Sequence, residues 1–598
     1  MKKYKDVHPI KTIQKIRNIL GENEILTKEQ YVDNELFFSC RITLANNELY
    51  KLNIGSNGKG DDLNYSMASG YAEFMERLQN HALFHNARYA SREFISQFPS
   101  GSLFVKKIKE RNLIFDYIYA EDEEIWDIKS VINYSSKDLG LLYNLPDINE
   151  IDNFFVRKLE ISQALMLPFR NIVDNSVKYL PIDLCLPRIA TNGMCAGNSQ
   201  SEAILQGICE IFERYSLKKI YYEKILLPTI PLSFFEDTSI ADKIKYVKEN
   251  YNYEVIIKDC SLGLGIPVVG ILLIDRLKGK YNFKLGSDFV LSRALSRCLS
   301  ELQQGTSNFR WIDFKFIDVD DFSWLGISDF EKNNFCKLFT TGIGYWPSSI
   351  LSKNSQDFTP YNKGYGESDD KDLEISINII KTMGYDIYLR DNSVLGFPSY
   401  QIIIPGMSNI WYKPEDHEIY SSDFSDMDLL NKFGITTITE KKRLAELLEK
   451  NYNLMKYHNY NYTSKYLYNT NYDIMNLDID LFLFMLFYSI KYYSKAHHYI
   501  TKFLIGKDFT LFRYYFAVAD YIKFYYLDTK EFEEIYPKLI ILYGQEIIDE
   551  MLSDFSHENI FHYYDFPTCF NCEKCSVAET CHFFDLLQIE KRLIKSCN

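Results

Sequence analysis

The stretch EFMER (Glu73–Arg77) recurs as EIFER (Glu210–Arg214) at an offset of 137 residues. In a helix, residues three apart share a face, so each copy places two carboxylates on one side. Like charges this close repel each other unless a cation lies between them. A single pair of this kind is typical of a solvated helix face. The repetition instead favours a divalent-metal site to which two helices contribute.

Glycines around the two stretches match at the same offset. The matched pairs are Gly60 with Gly197 and Gly70 with Gly207. Both helices are predicted to follow a glycine-bearing loop, residues 57–60 and 191–199. Backbone N–H groups beside a helix N-terminus suit phosphate oxygens, so loops and acidic pairs together indicate a nucleoside triphosphate with Mg²⁺. Neither loop fits the Walker A or the dinucleotide-binding glycine pattern.

Composition narrows the class of protein. The 598 residues are 46% hydrophobic and 16% aromatic, which is enough for several domains with large cores. A net charge of −14 argues against a nucleic-acid partner. The most apolar run, Leu481–Ile490, is half of a membrane span, and the N-terminus lacks an apolar core of signal-peptide length. Twelve cysteines should then be mostly reduced, and we expect a cytoplasmic protein without a membrane partner.

Periodicity along the chain predicts an α+β fold with loosely duplicated helices and strands. Predicted helices are 7–20, 62–81, 291–304 and 371–383, and the second loop and its helix together span 189–224. Predicted strands are a hairpin over 37–54 and the segments 253–258, 266–274, 386–390 and 399–404. Residues 84–179 are irregular and are interpreted as an insertion. Apolar helical patterns dominate beyond Thr439. We therefore predict an α+β body over 1–440 and an all-helical domain over 441–598.

These residues carry a resemblance to the YcaO-domain family of ATP-dependent peptide-backbone-modifying enzymes. The matching positions are Thr191-Asn192-Gly193-Met194-Cys195-Ala196-Gly197-Asn198, Glu202-Ala203, Glu210 with Glu213-Arg214, and Glu301 with Gln304-Gly305. The similarity covers roughly residues 1 to 440. It is strongest to the branch with a helical, tetratricopeptide-like C-terminal domain, which agrees with the change of pattern near Thr439.

The resemblance implies a role for each matching residue. The Mg²⁺ ions on the ATP phosphates would be held by four carboxylates, those of Glu73, Glu76, Glu210 and Glu213. The nucleotide would be lined by Asn198, Glu202, Arg214 and Gln304 and, by a shorter match, by Lys5 and Thr12. The chain departs from the family at Thr306, where members often have an arginine. Arg297 or Arg310 is a candidate for the missing charge.

The family chemistry implied is addition of a nucleophile to a substrate amide, followed by phosphorylation of the oxyanion so that it leaves as phosphate. Such a site needs positioning and charge neutralisation more than its own nucleophile, and no Ser-His-Asp grouping is evident. A peptide or protein substrate is expected, and members often form homodimers. The chain lacks the proline-rich tail of azoline-forming members, which favours thioamidation or support of methylthiolation. The alternative is a non-catalytic ATP-binding adaptor that docks a radical or sulfur-transfer enzyme.

Four cysteines lie within thirteen residues near the end of the sequence, at Cys569, Cys572, Cys575 and Cys581. Thiolates at this spacing suit tetrahedral Zn²⁺ or an iron–sulfur cluster. The close three-cysteine run is more typical of a cluster loop, whereas zinc tolerates the spacing and is the simpler structural ligand. A disulfide framework is the less favoured alternative. The other cysteines, such as Cys40 and Cys260, lie in apolar contexts and are predicted to be core residues.

Overall fold

The computed structural model describes most of the chain. The described residues are 7–33, 36–84, 87–159, 161–302, 309–323, 330–352, 358, 365–411, 429–450, 452, 477–555, 560 and 563–595. They fall into two compact units. The first contains Met1–Gln97, Arg111–Ser421 and Phe584–Asn598, and the second contains Phe98–Glu110 and Ser422–Phe583.

Within the described residues, twelve helices precede residue 400. They are α1 Pro9–Glu22, α2 Leu63–Gln79, α3 Arg92–Ile95, α4 Leu103–Glu110, α5 Ile128–Tyr143, α6 Ile148–Asp152, α7 Ile182–Ile189, α8 Gln200–Glu223, α9 Ser239–Tyr251, α10 Leu291–Glu301, α11 Phe330–Thr341 and α12 Asp369–Thr382. The later helices are α13 Ile438–Lys450, α14 Ile479–Ser489, α15 Tyr493–Leu504, α16 Phe509–Tyr521, α17 Phe532–Tyr543, α18 Gln545–Phe555 and α19 Phe583–Lys595.

The strands form three sheets within the first unit. They are β1 Thr27–Asp33, β2 Phe38–Leu44, β3 Gly55–Gly60, β4 Glu124–Asp127, β5 Gln163–Asn171, β6 Val177–Pro181, β7 Met194–Ala196, β8 Thr229–Ile230, β9 Glu254–Asp259, β10 Val268–Asp275, β11 Lys280–Ser287, β12 Ile312–Asp313, β13 Tyr388–Asp391 and β14 Ser399–Ile403. The sheet orders are β1-β2-β3, β12-β11-β10-β9-β8 and β4-β5-β13-β14-β7, with β6 beside β5, and the pairs are antiparallel. The predicted α+β class is confirmed.

Helix α8 lies between two of these sheets. One apolar cluster joins Ile208 and Phe212 of α8 to Leu272 of β10 and to Ile402 of β14. The opposite face of β10 packs against α9 and α10, where Ile271 contacts a second cluster. All eight residues of β10 are buried as a result. Burial on both sides fixes α8 at the centre of the first unit.

Helix α2 repeats this arrangement on a smaller sheet. Phe74 and Met75 pack against Cys40 and Ile42 of β2, in a cluster that also contains Ala196 of β7. The cluster is completed by three residues of α19, Leu586, Ile589 and Leu593. The final helix is therefore part of the first unit's core.

The second unit is helical in its described residues, as expected for the C-terminal region. Helix α14 has eight consecutive buried residues, Asp480 to Phe487, so the predicted buried helix at Leu481–Ile490 is confirmed. Among the described helices, none has the length and apolar character needed to span a bilayer.

Several sequence predictions of local structure were wrong. The second arm of the predicted 37–54 hairpin is a 3₁₀ segment, Asn46–Leu52, and the strand that pairs with β2 is β3 instead. Left-handed backbone at Asn47 and Glu48 accounts for the difference, since positive φ breaks an extended strand. Residues 57–60, predicted to be a loop, form the end of β3. Strands β4 and β5 lie within residues 84–179 and belong to the six-stranded sheet, and the interpretation of that segment as an insertion stays a prediction.

Candidate active site

The two acidic helices begin in the same way. The backbone N–H of Tyr65 donates to Oδ1 of the N-cap Asp62 at 2.9 Å, and that of Glu202 donates to Oγ of the N-cap Ser199 at 3.2 Å. Asp62 and Ser199 are themselves separated by the 137-residue offset. Side-chain caps of this kind stabilise a helix start by about 1 kcal/mol. The sequence repeat therefore reflects a structural repeat.

The matched glycines are sites of close helix–strand approach. A Cβ on Gly60 would lie 2.5 Å from the N atom of Ser66, and a Cβ on Gly197 would lie 2.9 Å from the N atom of Ala203. Ser66 and Ala203 again occupy equivalent positions in the two copies. Strands β3 and β7 can thus pass directly over the first turns of α2 and α8 only because no side chain intervenes.

The other glycine pair lies within the helices. A Cβ on Gly70 would lie 2.8 Å from Sγ of Cys40, and a Cβ on Gly207 would lie 2.9 Å from Sγ of Cys195. Both cysteines are buried, as are the other cysteines that were predicted to be core residues. The close contact draws each helix onto its sheet and fixes the rotation of its acidic face.

The acidic pairs of the two helices face each other. Burial raises the pKa of Glu76, and the carboxylates of Glu210 and Glu73 add to this effect although Arg77 opposes it. Burial likewise raises the pKa of Glu210, to which Glu213 and Glu73 contribute against the opposing charges of Arg214 and Arg77. The structure therefore brings the carboxylates of both repeats into one electrostatically coupled group.

The arginine of each repeat only partly neutralises this group. The guanidinium of Arg77 lies 3.5 Å from Glu76 and 3.7 Å from Glu73, and Nε of Arg214 lies 3.9 Å from Glu210. Charge-assisted hydrogen bonds are shorter, at about 2.8 Å. The carboxylate oxygens are therefore attracted to the arginines without being saturated by them, which leaves lone pairs for a cation.

Two lysines that the sequence analysis did not identify lie beside the acidic group. Burial lowers the pKa of Lys59 to about 8, against the attraction of Glu213 and Glu73, and the same ammonium forms an ion pair with Glu301. Burial lowers the pKa of Lys284 to about 7, helped by the nearby charges of Arg214 and Arg310. Lys59 lies between Gly58 and Gly60 in the glycine-bearing segment 57–60, so the sequence contained a signal for it. Lys284 lies in β11 with a second lysine, Lys280, and gave no signal in the sequence.

Arg297 and Arg310 were the candidates for the charge that Thr306 does not supply. Arg297 contributes to the electrostatic surroundings of Lys59, and Arg310 to those of Lys284. Arg297 also donates to Gln206 of α8 at 2.8 Å and lies 3.6 Å from Asp288. Both arginines therefore lie near the lysines that flank the acidic group.

Part of the predicted nucleotide set is joined by hydrogen bonds. Oγ1 of Thr12 donates to Oδ1 of Asn198 at 2.9 Å, and the N and Nδ2 atoms of Asn198 donate to Oε2 of Glu202 at 3.1 and 3.2 Å. Glu202 is 8% exposed. Thr12 and Asn198 are 186 residues apart, so a contact between them is a specific outcome of the fold. Lys5, Gln304 and Thr306 lie outside the described residues.

The four C-terminal cysteines lie in the second unit. Burial and the thiols of Cys581 and Cys575 raise the pKa of Cys572 to about 12, and the N–H of Cys569 donates to the carbonyl of Asn431 at 2.7 Å. Across the described part of the chain, no group of three or more His, Cys, Asp or Glu side chains is arranged to hold a metal ion. A metal at these cysteines stays a prediction.

Comparison with known proteins places the chain in a family. The family model described as "YcaO cyclodehydratase, ATP- and Mg2+-binding" matches residues 57–408, which is more than half of the chain. An uncharacterised protein of Haemophilus influenzae is 27% identical over 382 residues, 62% of this chain and 60% of that protein. The ribosomal protein S12 methylthiotransferase accessory factor YcaO of Escherichia coli is 29% identical over 255 residues, 42% of each chain. The chain thus spans less than two thirds of either relative.

Solved structures with a similar fold include a heterocyclase in complex with substrate and cofactor, with a TM-score of 0.47, 17% identity, and coverage of 69% of this chain and 54% of that one. They also include YcaO from Methanopyrus kandleri bound with AMPPCP and Mg²⁺, with a TM-score of 0.40, 13% identity, and coverage of 67% and 92%. On the extent of the family match, this chain belongs to the YcaO family.

Proposed function

We propose that this chain binds ATP with Mg²⁺ between α2 and α8 and activates a backbone amide of a peptide or protein by phosphorylation. The observation that carries the proposal is the convergence of four carboxylates, those of Glu73, Glu76, Glu210 and Glu213, from two equivalent helices. Without a cation, the like charges oppose one another at a partly buried site. A divalent ion bound between the carboxylates would replace this repulsion with attraction.

The donor set fits Mg²⁺ and a polyphosphate. Mg²⁺ prefers oxygen ligands and is usually bound by carboxylates together with phosphate oxygens. The separation of 3.5 to 3.9 Å between the carboxylates and Arg77 or Arg214 keeps oxygen atoms available. Arg214, Lys59 and Lys284 add positive charge beside the acidic group, where phosphate oxygens need it. We assign the metal to the four glutamates together with phosphate oxygens of the nucleotide, because among the described residues the side chains alone do not form a complete ligand set.

The nucleotide is assigned to the neighbouring polar residues. Thr12 orients Asn198, and Asn198 is held against Glu202, so three predicted residues form one hydrogen-bonded set. Asn198, Glu202 and Thr12 would line the nucleotide with Arg214, and the family resemblance adds Lys5 and Gln304. When bound, ATP supplies the phosphoryl group and Mg²⁺ neutralises its charge. The chain's own residues position the groups and stabilise negative charge.

The class of product is a finer proposal. Thioamide formation and heterocycle formation both require loss of the amide oxygen as phosphate, whereas support of a sulfur insertion by another enzyme does not. A Cys, Ser or Thr of the substrate, or external sulfide, would provide the nucleophile.

A second candidate is an ATP-binding adaptor that docks a radical or sulfur-transfer enzyme through its helical C-terminal region. The observation that favours it is the description of the Escherichia coli relative as a methylthiotransferase accessory factor. Release of phosphate that a candidate peptide accelerates would support the enzyme. Slow release that no peptide changes, together with capture of such a partner enzyme, would support the adaptor.

We also propose that Cys569, Cys572, Cys575 and Cys581 bind Zn²⁺ or an iron–sulfur cluster. The support is their spacing and the proximity of the Cys572, Cys575 and Cys581 thiols. Elemental analysis and a visible spectrum of anaerobically purified protein separate the two metals. Protein free of both zinc and iron would refute the assignment.

The test of the main proposal is Mg²⁺-dependent ATP binding and phosphate release. We expect Glu210→Gln and Glu213→Gln to weaken both by at least tenfold, because each removes a ligating charge. Glu223→Gln is the matched control, since Glu223 lies on the same helix but pairs with Lys219 at 2.6 Å, away from the acidic group. Unchanged ATP binding in both site variants would refute the assignment.

A further inference from the structure

Three cations of the first unit meet at the C-terminal end of α11. Nη1 of Arg214 donates to the carbonyl of Phe339 at 3.0 Å, and Nη1 of Arg310 donates to the carbonyl of Thr341 at 3.2 Å. These are among the last carbonyls of the helix, where the helix dipole is negative and attracts cations. Helix α11 therefore anchors two arginines from distant parts of the sequence.

The third cation, Lys284, reaches the same point from β11. A Cβ on Gly342 would lie 1.4 Å from Nζ of Lys284, so the ammonium occupies the space that any other residue would fill. Gly342 also has φ of +65°, a conformation that favours glycine. The residue after α11 thus has two independent reasons to be glycine, and one of them is room for the ammonium.

Some hydrogen-bond donors beside the C-terminal end of α11 have no acceptor among the residues that the structure describes. Among the residues that the structure describes, the Lys284 ammonium forms no hydrogen bond or ion pair, and the buried Nε of Arg214 has no hydrogen-bond acceptor. Lys280 on the same strand provides a contrast, since it lies 3.7 Å from Asp313. A buried guanidinium N–H without an acceptor is costly, and the partly buried ammonium of Lys284 lies beside it, which points to one ligand that accepts from both.

The charges around Lys284 favour an anion. Its electrostatic neighbours are Arg214, Arg310 and Lys59, with Glu213 as the one acidic residue among the largest contributions. Glu213 is one of the four carboxylates assigned to the metal, so its charge is engaged when the metal is bound. The corner formed by Lys284, Arg214 and Arg310 would then be positive and would lie beside the metal.

We propose that Lys284, flanked by Arg214 and Arg310, donates hydrogen bonds to a tetrahedral phosphoryl oxyanion at the reacting centre. The inference rests on the proposed function and names a further binding residue for it. Two sources share this chemistry, namely the terminal phosphoryl group of ATP and the phosphate that leaves the activated amide. Lys284 forms and breaks no covalent bond in either case.

The experiment is calorimetric titration of wild type, Lys284→Met, Lys284→Arg and the control Lys280→Met. The probes are Mg·ATP, Mg·ADP, and inorganic phosphate added to the Mg·ADP complex. If Lys284 holds the terminal phosphoryl group, Lys284→Met weakens Mg·ATP binding ten- to hundredfold and Mg·ADP binding by less than threefold. If it holds the leaving phosphate, Mg·ATP affinity stays within threefold and phosphate affinity falls at least tenfold. Lys284→Arg should retain most of either affinity.

Several results would overturn the inference. One is that Lys284→Met binds Mg·ATP and phosphate within threefold of wild type. Another is that Lys284→Met loses the same affinity for Mg·ATP as for Mg·ADP, because an equal loss indicates a merely structural role. An equal effect of Lys280→Met would have the same meaning. Lys284→Gln provides a second variant if Lys284→Met does not fold. Absence of Mg·ATP binding in wild type would instead refute the proposed function, and the two failures are thus distinguishable.

Discussion

Replacing Glu210 by Gln should have opposite effects on the free and the ligand-bound protein. In the free protein, burial and neighbouring carboxylates raise the pKa of Glu210, so the folded state prefers the neutral form. For a group with a raised pKa, the stabilisation is complete below the unfolded pKa of 4.5 and is lost as pH rises through the folded value. At pH 8, which is well above the unfolded pKa, the raised pKa of the folded state therefore costs stability. The neutral amide removes that cost, and the free energy of unfolding should equal or exceed that of wild type.

In the bound protein the order should reverse. Mg·ATP at 100 times its dissociation constant stabilises wild type by about 2.7 kcal/mol. Loss of one charged ligand costs about 1.5 to 3 kcal/mol of binding. The same ligand concentration should then stabilise Glu210→Gln by only about 0.3 to 1.3 kcal/mol.

Urea unfolding at pH 8, with and without Mg·ATP, measures both effects, and Glu223→Gln is the control for an amide on the same helix. Two results would refute the reasoning. One is a free Glu210→Gln protein that is clearly less stable than wild type, which would mean that Arg214 and Arg77 outweigh the repulsion. The other is full retention of the ligand-induced stabilisation.

Three further predictions concern residues around the site. Thr12→Val should lose the hydrogen bond to Asn198 and weaken ATP binding by about 1 kcal/mol, whereas Thr12→Ser should retain the bond. Titration calorimetry measures the two affinities for ATP, and equal affinities would contradict the prediction. Gly207→Ala should destabilise the protein by about 1 to 3 kcal/mol because the added Cβ would meet Cys195. Gly21→Ala is the control, since nothing lies within 4 Å of a Cβ at that position. Thermal unfolding compares the two variants, and equal melting temperatures would contradict the prediction. Burial lowers the pKa of His81 to about 4 from 6.5. The stability that this provides above pH 6.5 should therefore fall by about 1.4 kcal/mol at pH 5.5. His81→Asn should lack that loss when urea unfolding above pH 6.5 is compared with urea unfolding at pH 5.5.

The sequence was most informative where local and repeated patterns agree. Helix α2 and helix α8 were predictable because apolar spacing, capping residues and glycines recur at one offset, and the joint acidic group followed from that repeat. Strand β11 was missed although Tyr281, Phe283 and Leu285 alternate along it and are buried. Polar Asn282 and Lys284 complete this alternation, so the strand itself was predictable, whereas the surroundings of Lys284 are revealed only by the fold.

Contacts between distant segments explain the rest of the difference. Lys284 could not be linked to the site from sequence, because its position depends on Gly342 at the end of a helix 58 residues further along the chain. The 3₁₀ segment Asn46–Leu52 resembled a hairpin turn because asparagine occurs in both, and Leu49 of this segment is fully buried in the core.

The most direct test of the account is to count bound divalent ions by electron paramagnetic resonance, with Mn²⁺ in place of Mg²⁺, in wild type and in Glu76→Gln/Glu210→Gln. The account predicts Mn²⁺ binding by wild type that strengthens when ATP is added and that falls at least tenfold in affinity in the double variant. Mn²⁺ and ATP binding that the double variant leaves unchanged would contradict the assignment of the paired glutamates to a metal–nucleotide site.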